Sequence, residues 1–381
     1  MILIFQRILT NYRLPIFKKL NEEVGVVLCL GKNGPKNTYL IKTKPDFGHI
    51  IIKDLYPVAS KEKLVFQDVF TPIFKYKPEI VIIEFALSII SNWFFLFLQP
   101  FFKYKIILWS HGYSRKRGFN PKISLSDKLR RYWMNKADAI ILYSYNSKKL
   151  IGPFVSKKEK IFVAPNILDT KRLLRIRDDL EKSGKGTIRR EINFKKKYNL
   201  IYLGRLLKEK EPDKLLDVFK IVSRKLKSIE LHFVGEGPLY SKLLEKSVGL
   251  NVRFWGNISD DIFLGKLLFS SDIMIIPGDI GLSVVHSFCF DCPVVTKKQG
   301  KEGPFHGPEI EYLINGVTGF LVEYGNNGKM ANTISNYLLS SNDVKDRFKD
   351  NIRKMIENKC SIDSMIDGFK KAIDYCQKAK N

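Results

Sequence analysis

The segment from Ile273 to Thr296 limits the possible folds more than any other part of this chain. It opens with a short run of β-branched and apolar residues, which predicts a buried parallel strand. Pro277, Gly278 and Gly281 then predict a turn. The mostly apolar residues from Leu282 to Phe290 predict a helix that is buried on all sides. A strand, a glycine loop and a helix start, in this order, favour a phosphate site, because free N–H groups point outward there. Many α/β crossovers contain glycines and bind nothing, so a purely structural loop stays open.

Short apolar runs of the same kind recur along the chain and alternate with helical patterns. The predicted strands are Met1–Phe5, Gly25–Leu30, Ile80–Glu84, Lys105–Trp109, Ala139–Tyr143, Ile161–Pro165, Leu200–Leu203, Leu231–Val234 and Val252–Trp255. An apolar helix is expected near Ala86–Leu98. Strands that alternate with helices predict an α/β fold with two Rossmann-like, doubly wound domains.

Composition suggests where the domains divide. Basic side chains far outnumber acidic ones between Lys171 and Lys197, and Gly184 and Gly186 lie in that stretch. We therefore expect a first domain over residues 1–168, an exposed and partly helical basic linker over 169–198, and a second domain over 199–361. A C-terminal helix over about 362–381 is expected to pack back on the first domain.

The formal net charge of +26 predicts an anionic partner, which could be nucleic acid, an anionic membrane surface or a phosphorylated substrate. The five scattered cysteines fit a reducing compartment. Cys289 and Cys292 form a CxxC pattern without a partner pair, and small core residues are expected there. The uncharged run Phe85–Phe102 is slightly shorter than the roughly 20 residues that span a bilayer, so a core or interfacial helix is predicted.

Glycines follow several strands of the second half, at Gly204, Gly235, Gly256 and Gly278. Ligands of doubly wound folds bind outside the carboxyl ends of the strands. We therefore expect these four glycines to converge on one crevice.

The second half resembles the donor domain of family-four, two-domain GT-B glycosyltransferases. The matching segments are 202–210 (YLGRLLKEK), 232–238 (HFVGEGP), 252–256 (VRFWG), 271–277 (SDIMIIP), the stretch from Gly281-Leu282 to Pro293-Val-Val, and 315–321 (NGVTGFL). The first half resembles the acceptor domain more loosely, through 11–15 (NYRLP), 110–112 (SHG), 137–141 (ADAII) and Pro165-Asn166…Asp169. This resemblance implies a GT-B fold, with two Rossmann-like domains that face each other across a cleft.

The resemblance also implies a reaction: transfer of a sugar from a nucleotide-sugar, with retention at the anomeric carbon and without a metal or another cofactor. No Asp-x-Asp motif precedes a suitable strand, which is consistent with this. The leaving nucleoside diphosphate needs positive charge, and the family supplies it from an arginine and a lysine at the positions of Arg205 and Lys210. A solvated lysine-rich loop is the alternative for Lys210. The implied donor-binding residues are Gly204, Gly235, Gly256, Asn257, Gly278, Asp279, Ile280, Gly281, Leu282 and His286.

One departure from the family affects this site. The usual pair of glutamates, eight residues apart, falls on Gly278 and His286. A neutral histidine could hold the nucleotide ribose through a ring nitrogen, as the second glutamate does. Asp279 is the nearest carboxylate that could replace the first. The alternative for His286 is a core histidine, and similar relatives point to a subfamily.

Three other places in the chain bear on this site. His111 follows a predicted strand where the family has a histidine near donor sugar and acceptor, so an acid–base or orienting role competes with a core position. Thr318 and Gly319 resemble a loop beside the donor site. The segment 303–309 (GPFHGPE) is a loop to which the sequence assigns no role.

We therefore predict a hexosyltransferase that uses a UDP- or GDP-linked sugar and a glycan or lipid-linked acceptor in cell-surface polysaccharide or lipopolysaccharide synthesis. A basic nucleic-acid-binding protein and an inactive glycosyltransferase-like scaffold are the alternatives. The aromatic residues of 86–104 and the basic residues that follow predict a cytoplasmic protein bound to the inner face of an anionic membrane. A plain core helix and a solubilising charge are the competing explanation.

Overall fold

The computed structural model describes residues 1–32, 45–57 and 64–378. These residues form two compact units. Unit 1 consists of Met1–Asn166 together with Ile362–Asn381, and unit 2 consists of Ile167–Ser361.

Unit 1 is built on a seven-stranded parallel sheet. Its strands are β1 (Ile2–Gln6), β2 (Val26–Gly31), β3 (His49–Ile52), β6 (Ile80–Glu84), β7 (Lys105–Ser110), β8 (Ala139–Leu142) and β9 (Ile161–Val163), and β4 (Asp54–Leu55) with β5 (Phe66–Gln67) forms a separate antiparallel pair. Its helices are α1 (Leu14–Val24), α2 (Phe70–Tyr76), α3 (Asn92–Phe102), α4 (Leu125–Lys136), α5 (Tyr145–Ile151) and α14 (Ile362–Lys378). The strand order is β3-β2-β1-β6-β7-β8-β9, so it reverses between β1 and β6.

Apolar residues on both faces of this sheet form the core of unit 1. Leu3, Phe5 and Leu108 belong to a buried cluster on one face. On the other face the Trp109 ring packs edge-on against Phe17 of α1 and Phe369 of α14. Helix α14 lies so close to β9 that a Cβ on Gly368 would stand 2.2 Å from the carbonyl oxygen of Val163. The last helix of the chain therefore completes the core of unit 1.

Helix α3 begins later than the expected start at Ala86. Residues 88–91 instead bond to the chain around β5, where Val65 N–H donates to Ser88 O and Ile90 N–H donates to Val65 O. The Ser91 hydroxyl also accepts from the Gln67 amide. These bonds engage the backbone groups that a longer helix would need, so the expected boundary was wrong by six residues.

Unit 2 contains a six-stranded parallel sheet with the order β12-β11-β10-β13-β14-β15. The strands are β10 (Tyr198–Leu203), β11 (Ile229–Val234), β12 (Val252–Phe254), β13 (Ile273–Ile275), β14 (Val294–Lys297) and β15 (Gly319–Val322). The helices are α6 (Thr170–Ser183), α7 (Lys185–Glu191), α8 (Pro212–Lys225), α9 (Tyr240–Lys246), α10 (Asp261–Ser270), α11 (Ser283–Cys289), α12 (Asn327–Leu339) and α13 (Asn342–Lys359).

The stretch expected to be an exposed linker is part of unit 2. Helices α6 and α7 bury Leu173, Leu180 and Ile188. The Arg189 guanidinium donates to both carboxylate oxygens of Asp272, at 2.8 and 2.9 Å. Several basic side chains of this stretch therefore hold it against the second sheet instead of leaving it in solvent.

The predicted architecture of two Rossmann-like α/β halves is confirmed, and each predicted strand overlaps an observed one. Cys289 and Cys292 are buried and free, and burial raises the pKa of both thiols, so they fill core space. None of the helices in the described residues has the length and apolar character needed to cross a bilayer.

Candidate functional site

The carboxyl ends of three adjacent strands of unit 2, β12, β11 and β10, bring three glycine-containing loops into backbone contact. A Cβ on Gly235 would lie 2.1 Å from the carbonyl oxygen of Gly204, and one on Gly237 would lie 2.6 Å from that of Leu206. Gly235 N–H donates to the carbonyl of Gly256 at 2.7 Å. The two close approaches join the loops after β10 and β11 and exclude any larger side chain there. The hydrogen bond to Gly256 adds the loop after β12, so the three loops form one continuous surface.

The loop after β13, residues 278–282, joins this surface, and we call it the donor loop. Gly278 N–H donates to the carbonyl of Lys210 at 3.1 Å, and Asp279 N–H donates to that of Glu209 at 2.8 Å. A Cβ on Gly278 would stand 2.2 Å from the same Glu209 oxygen. Gly278 is the position that the resemblance aligns with the first of the two glutamates. A side chain does not fit at this position, because the backbone of 209–210 occupies the space that it would need.

Arg205 extends from this surface into solvent. Its side chain is exposed and makes no hydrogen bond or ion pair with any residue that the structure describes. Its backbone is fixed, because the buried Tyr202 hydroxyl donates to the Arg205 carbonyl at 2.9 Å. A fixed backbone below an unengaged guanidinium is the arrangement that an anionic ligand requires.

Lys210 is anchored across the same surface. Its Nζ donates to the carbonyl of Asp279 at 2.9 Å, and its side chain lies over Gly204, where an added Cβ would be 3.6 Å from Nζ. An ammonium group has three donors. The bond to Asp279 therefore aims the charge while the group can still donate to a ligand.

The 303–309 loop, which the sequence left without a role, packs directly on the donor loop. Phe305 N–H donates to Asp279 Oδ1 at 2.5 Å, and Gly307 N–H donates to the Ile280 carbonyl at 2.6 Å. Ile280 N–H in turn lies 3.3 Å from Nδ1 of the buried His306. A lone His-Gly-Pro stretch carries no signal for such a long-range contact, so sequence reasoning missed these residues.

His286 lies on α11 and has an unsatisfied ring nitrogen. Nε2 is buried without a hydrogen-bond partner in the described part of the chain, and so is the hydroxyl of Ser283, one turn earlier on the same helix. Burial lowers the pKa of His286 to about 4, so the ring is neutral near pH 7. Two unpartnered polar atoms on one helix face are unusual in a core, because each costs free energy when it is left unpaired.

The remaining donor-site predictions are placed as follows. Asn257 is exposed, and its N–H lies 3.4 Å from the Glu236 carboxylate. Gly281 and Leu282 are half-buried and lead into α11. Thr318 is buried, and its hydroxyl donates to the Tyr312 carbonyl.

Thr318 and Gly319 do not lie beside the donor loop. Gly319 begins β15 and pairs with Val294 at the start of β14, so it lies at the amino end of the parallel sheet. The donor loop follows the carboxyl end of β13. The expected placement of these two residues was therefore wrong.

His111 belongs to unit 1, directly after β7. Its ring centre is 4.8 Å from that of Tyr143, and burial, with Arg115 and Arg13, lowers its pKa to about 4. Arg13 donates to Gln6 at 2.9 Å and to the Tyr143 hydroxyl at 3.2 Å. His111 thus lies in a polar cluster at the carboxyl ends of β1, β7 and β8.

This cluster continues to the point where the strand order reverses. Arg7, which follows β1, donates from Nε to the Glu84 carboxylate of β6 at 3.0 Å. Glu84 is ionised near neutral pH: burial works against its charge, but Arg7 and Arg13 outweigh that and lower its pKa. Arg7, Arg13 and Glu84 therefore engage one another and their neighbours at this edge of unit 1, although Gln6 Nε2, Arg13 Nε and Trp109 Nε1 are buried without a hydrogen-bond partner among the described residues.

Comparison with known proteins shows which family part of the chain is similar to. Residues 184–355 match the family model described as "Glycosyl transferases group 1". The described fold and this match confirm the predicted resemblance to family-four glycosyltransferases of the GT-B type.

Three individual proteins are also similar to this chain. A GDP-mannose-dependent alpha-(1-6)-phosphatidylinositol dimannoside mannosyltransferase of Mycobacterium tuberculosis is 33% identical over 102 residues, which are 26% of this chain and 27% of the relative. The match thus spans about a quarter of that relative. A protein of Klebsiella pneumoniae described as an uncharacterized 41.2 kDa protein in cps region is 23% identical over 70% of each chain. The crystal structure of Anabaena HepE in complex with UDP superimposes with a TM-score of 0.71 at 15% identity and covers 98% of this chain and 99% of that one.

Proposed function

We propose that the protein transfers a hexosyl group from a UDP- or GDP-linked sugar to a glycan or lipid-linked acceptor, with retention at the anomeric carbon. The observation that carries the proposal is the pair Arg205 and Lys210. One cation is unengaged and exposed, and the other is anchored to the Asp279 carbonyl, at the edge where three glycine loops meet.

The chemistry of sugar transfer explains why two cations are needed. Cleavage of the bond between sugar and diphosphate leaves negative charge on the departing phosphate. A planar guanidinium can bind two phosphate oxygens at once, and an ammonium supplies a point charge beside it. The Lys210 charge is held before the reaction by the Asp279 carbonyl, and the Arg205 guanidinium extends from a backbone that the Tyr202 hydroxyl fixes. With these cations in place, we propose that turnover needs no metal ion and survives EDTA.

The neutral His286 is proposed to contact the nucleotide ribose. Its unpartnered Nε2 and the Ser283 hydroxyl are buried polar atoms that a ribose hydroxyl pair would satisfy. Asp279 is proposed to face the donor sugar, because only its Oδ1 is engaged, by Phe305 N–H. These two side chains would take the places of the two family glutamates.

Calorimetric titration with UDP-, GDP- and ADP-linked sugars tests the proposal. One of them should bind and then turn over when membranes from a polysaccharide-producing cell supply the acceptor. Binding without turnover would favour the scaffold alternative. A protein that binds none of the three but binds duplex DNA with a steep salt dependence would contradict the proposal and favour the nucleic-acid alternative.

We further propose that unit 1 docks on the inner, anionic face of a membrane. Aromatic rings of α2 and α3 contact one another in the pairs Phe70–Phe94, Phe74–Phe102 and Phe97–Phe101. Phe97 and Phe101 are 63% and 70% exposed. Phe95 and Tyr104, which the sequence placed with them, are buried in the core. We call Phe70, Phe74, Phe94, Phe97 and Phe101 the aromatic surface.

Unit 1 also exposes basic and apolar residues next to α3 and in and before α4. Lys103 follows α3 directly and is exposed. Ile123 and Leu125, near the start of α4, are 83% and 71% exposed, and Lys128 and Arg131 lie on the same helix. Exposed aromatic rings beside lysine and arginine fit the boundary between acyl chains and anionic headgroups.

Flotation with vesicles tests the membrane proposal. The protein should float with phosphatidylglycerol vesicles, float less at high salt because screening weakens the attraction, and stay down with phosphatidylcholine vesicles. The double variant Phe97→Ser/Phe101→Ser should float poorly. Val248→Ser removes an equally exposed apolar residue of unit 2, at 82% exposure, and should float like wild type. Wild type that stays down with anionic vesicles at low salt would refute the proposal.

A further inference from the structure

His306 contacts the donor loop at Ile280, whereas Lys210 contacts it at Gly278 and Asp279. His306 is 4% exposed. Nδ1 faces Ile280 N–H at 3.3 Å, and Nε2 lies 2.8 Å from the carbonyl oxygen of Lys297, at the end of β14. The ring therefore links the donor loop to the sheet.

These two partners determine the protonation state of the ring. A backbone carbonyl can only accept, so Nε2 must carry the proton that is donated to Lys297 O. A backbone N–H can only donate, so Nδ1 must be unprotonated to accept from Ile280. The contacts together require the neutral ring with its proton on Nε2, and a doubly protonated ring would place two N–H groups against each other.

The donor loop is held on two sides. From one side, the backbone of 209–210 bonds to Gly278 and Asp279. From the other, the 303–309 loop bonds to Asp279 and Ile280 through Phe305, His306 and Gly307.

Space at this contact is also fully used. A Cβ on Gly307 would stand 2.3 Å from the Glu309 carboxylate and 3.1 Å from Gly281 Cα. Glu309 is itself 2% exposed and lies under both glycines. Any side chain at position 307 would therefore collide with the Glu309 carboxylate, so this contact requires a glycine there.

We propose that His306 is a positioning residue, which fixes the Ile280 backbone and thereby sets the donor loop in the conformation that binds the nucleotide-sugar. It acts through Ile280 and does not need to touch the substrate itself. The proposal rests on the proposed function for its consequence in donor binding, whereas the contact between His306 and the donor loop does not depend on it.

Two isosteric substitutions separate the two ring nitrogens. In His306→Asn the amide Oδ1 is as many bonds from Cα as Nδ1, so it can still accept from Ile280 N–H. In His306→Gln the amide Nε2 is as many bonds away as the ring Nε2, so it can still donate to Lys297 O but leaves Ile280 unpaired. His306→Ala removes both contacts, and His49→Ala, in unit 1, is the matched control.

Hydrogen exchange at the Ile280 amide is the first readout, and it needs no ligand. In the Ala and Gln variants this amide should exchange roughly tenfold faster than in wild type, the effect of about one lost hydrogen bond. In the Asn variant and in His49→Ala it should remain protected. Nitrogen NMR of the His306 ring in wild type should show the proton on Nε2.

Binding of UDP and GDP by calorimetry is the second readout. For whichever of the two binds wild type, Kd should weaken roughly 5- to 10-fold in the Ala and Gln variants and stay within about threefold in the Asn variant. A merely structural histidine would lower the melting temperature of all three variants without this order. Unchanged Ile280 exchange in His306→Ala, or equal behaviour of the Asn and Gln variants, would overturn the proposal. If neither nucleotide binds wild type, the proposed function fails, and with it the role of His306 in donor binding. The exchange data alone then decide whether His306 holds the donor loop.

Discussion

The two units place arginines at the carboxyl ends of their strands, but they use them differently. In unit 1, Arg13 stacks 4.7 Å from the centre of the Trp109 ring and bonds to Gln6 and Tyr143. Burial works against its charge, but Tyr143, Tyr12 and Glu84 outweigh that and raise its pKa. In unit 2, Arg205 is exposed, and its side chain has no such partners among the residues that the structure describes. A charge satisfied within the fold serves mainly stability, and one left unengaged on a rigid backbone is available to a ligand.

The largest expected effect concerns the unengaged side of this comparison. Arg205→Ala and Lys210→Ala should each lower turnover by about 10²–10³, the scale of one lost contact to developing charge. Arg205→Ala should leave the free energy of unfolding within about 0.5 kcal/mol of wild type, because the exposed side chain forms no hydrogen bond or ion pair with any described residue. Steady-state kinetics and urea unfolding measure both.

Lys208 provides the control for these two variants. It is exposed on the same turn and forms no ion pair with any described residue. Lys208→Ala should keep wild-type turnover. Equal losses of turnover in all three variants would show that only the total positive charge matters. Near-native turnover in Arg205→Ala and Lys210→Ala would contradict their assignment to the leaving phosphate.

The converse effect is expected for Arg13. Arg13→Ala should destabilise unit 1 by about 2–4 kcal/mol, because it removes a buried charge together with its hydrogen bonds and ring stacking. Arg131→Ala changes an exposed arginine of α4 and should shift stability little. If Arg13→Ala unfolds like wild type and only binding changes, then Arg13 also serves a ligand, and the contrast between the units disappears.

A slightly smaller effect tests the glycine contacts of unit 2. Gly235→Ala should cost about 3 kcal/mol of stability, because its Cβ would stand 2.1 Å from the Gly204 oxygen and its φ is +130°. Gly186→Ala lies in α7, where the nearest atom to a Cβ is 3.9 Å away, and should be neutral or slightly stabilising. The melting temperatures of both variants test this contact. An unchanged melting temperature in Gly235→Ala would contradict the close approach of the two loops.

The smallest effect concerns pH. The pKa of His286 falls from 6.5 to about 4 on folding, so its contribution to stability is complete above pH 6.5 and decreases as the pH falls toward 4. Between pH 6.5 and 5 this amounts to about 1 to 2 kcal/mol. His286→Gln should flatten this dependence for unit 2, and His49→Gln in unit 1 should not. Parallel pH profiles for wild type and His286→Gln would mean that the ring is not buried in its neutral form.

Sequence reasoning succeeded where local chemistry is sufficient. Gly204, Gly235 and Gly278 each follow an apolar strand, and parallel strands bring such ends together regardless of distant details. It failed where the outcome depends on distant partners. The start of α3 depends on the pairing of Val65 with Ser88 and Ile90.

The donor site shows the same limit. The role of His306 depends on its contacts with Ile280 and Lys297. The residues next to His306 in the sequence do not predict those contacts. The basic stretch before β10 was misassigned as a linker because charge count alone does not reveal that Arg189 meets Asp272.

Helix α14 gives unit 1 a particular order of assembly during translation. Residues 1–166 are synthesised first, and all of unit 2 follows. The helix that packs on Trp109 and β9 is synthesised only after that. Until that moment part of one face of the first sheet lacks its cover, so the nascent chain carries an exposed apolar surface throughout the synthesis of unit 2. The need for chaperones should therefore depend on how long the synthesis of unit 2 takes. A premature stop after Ser361 should release a chain whose second half can fold and whose first half is prone to aggregate.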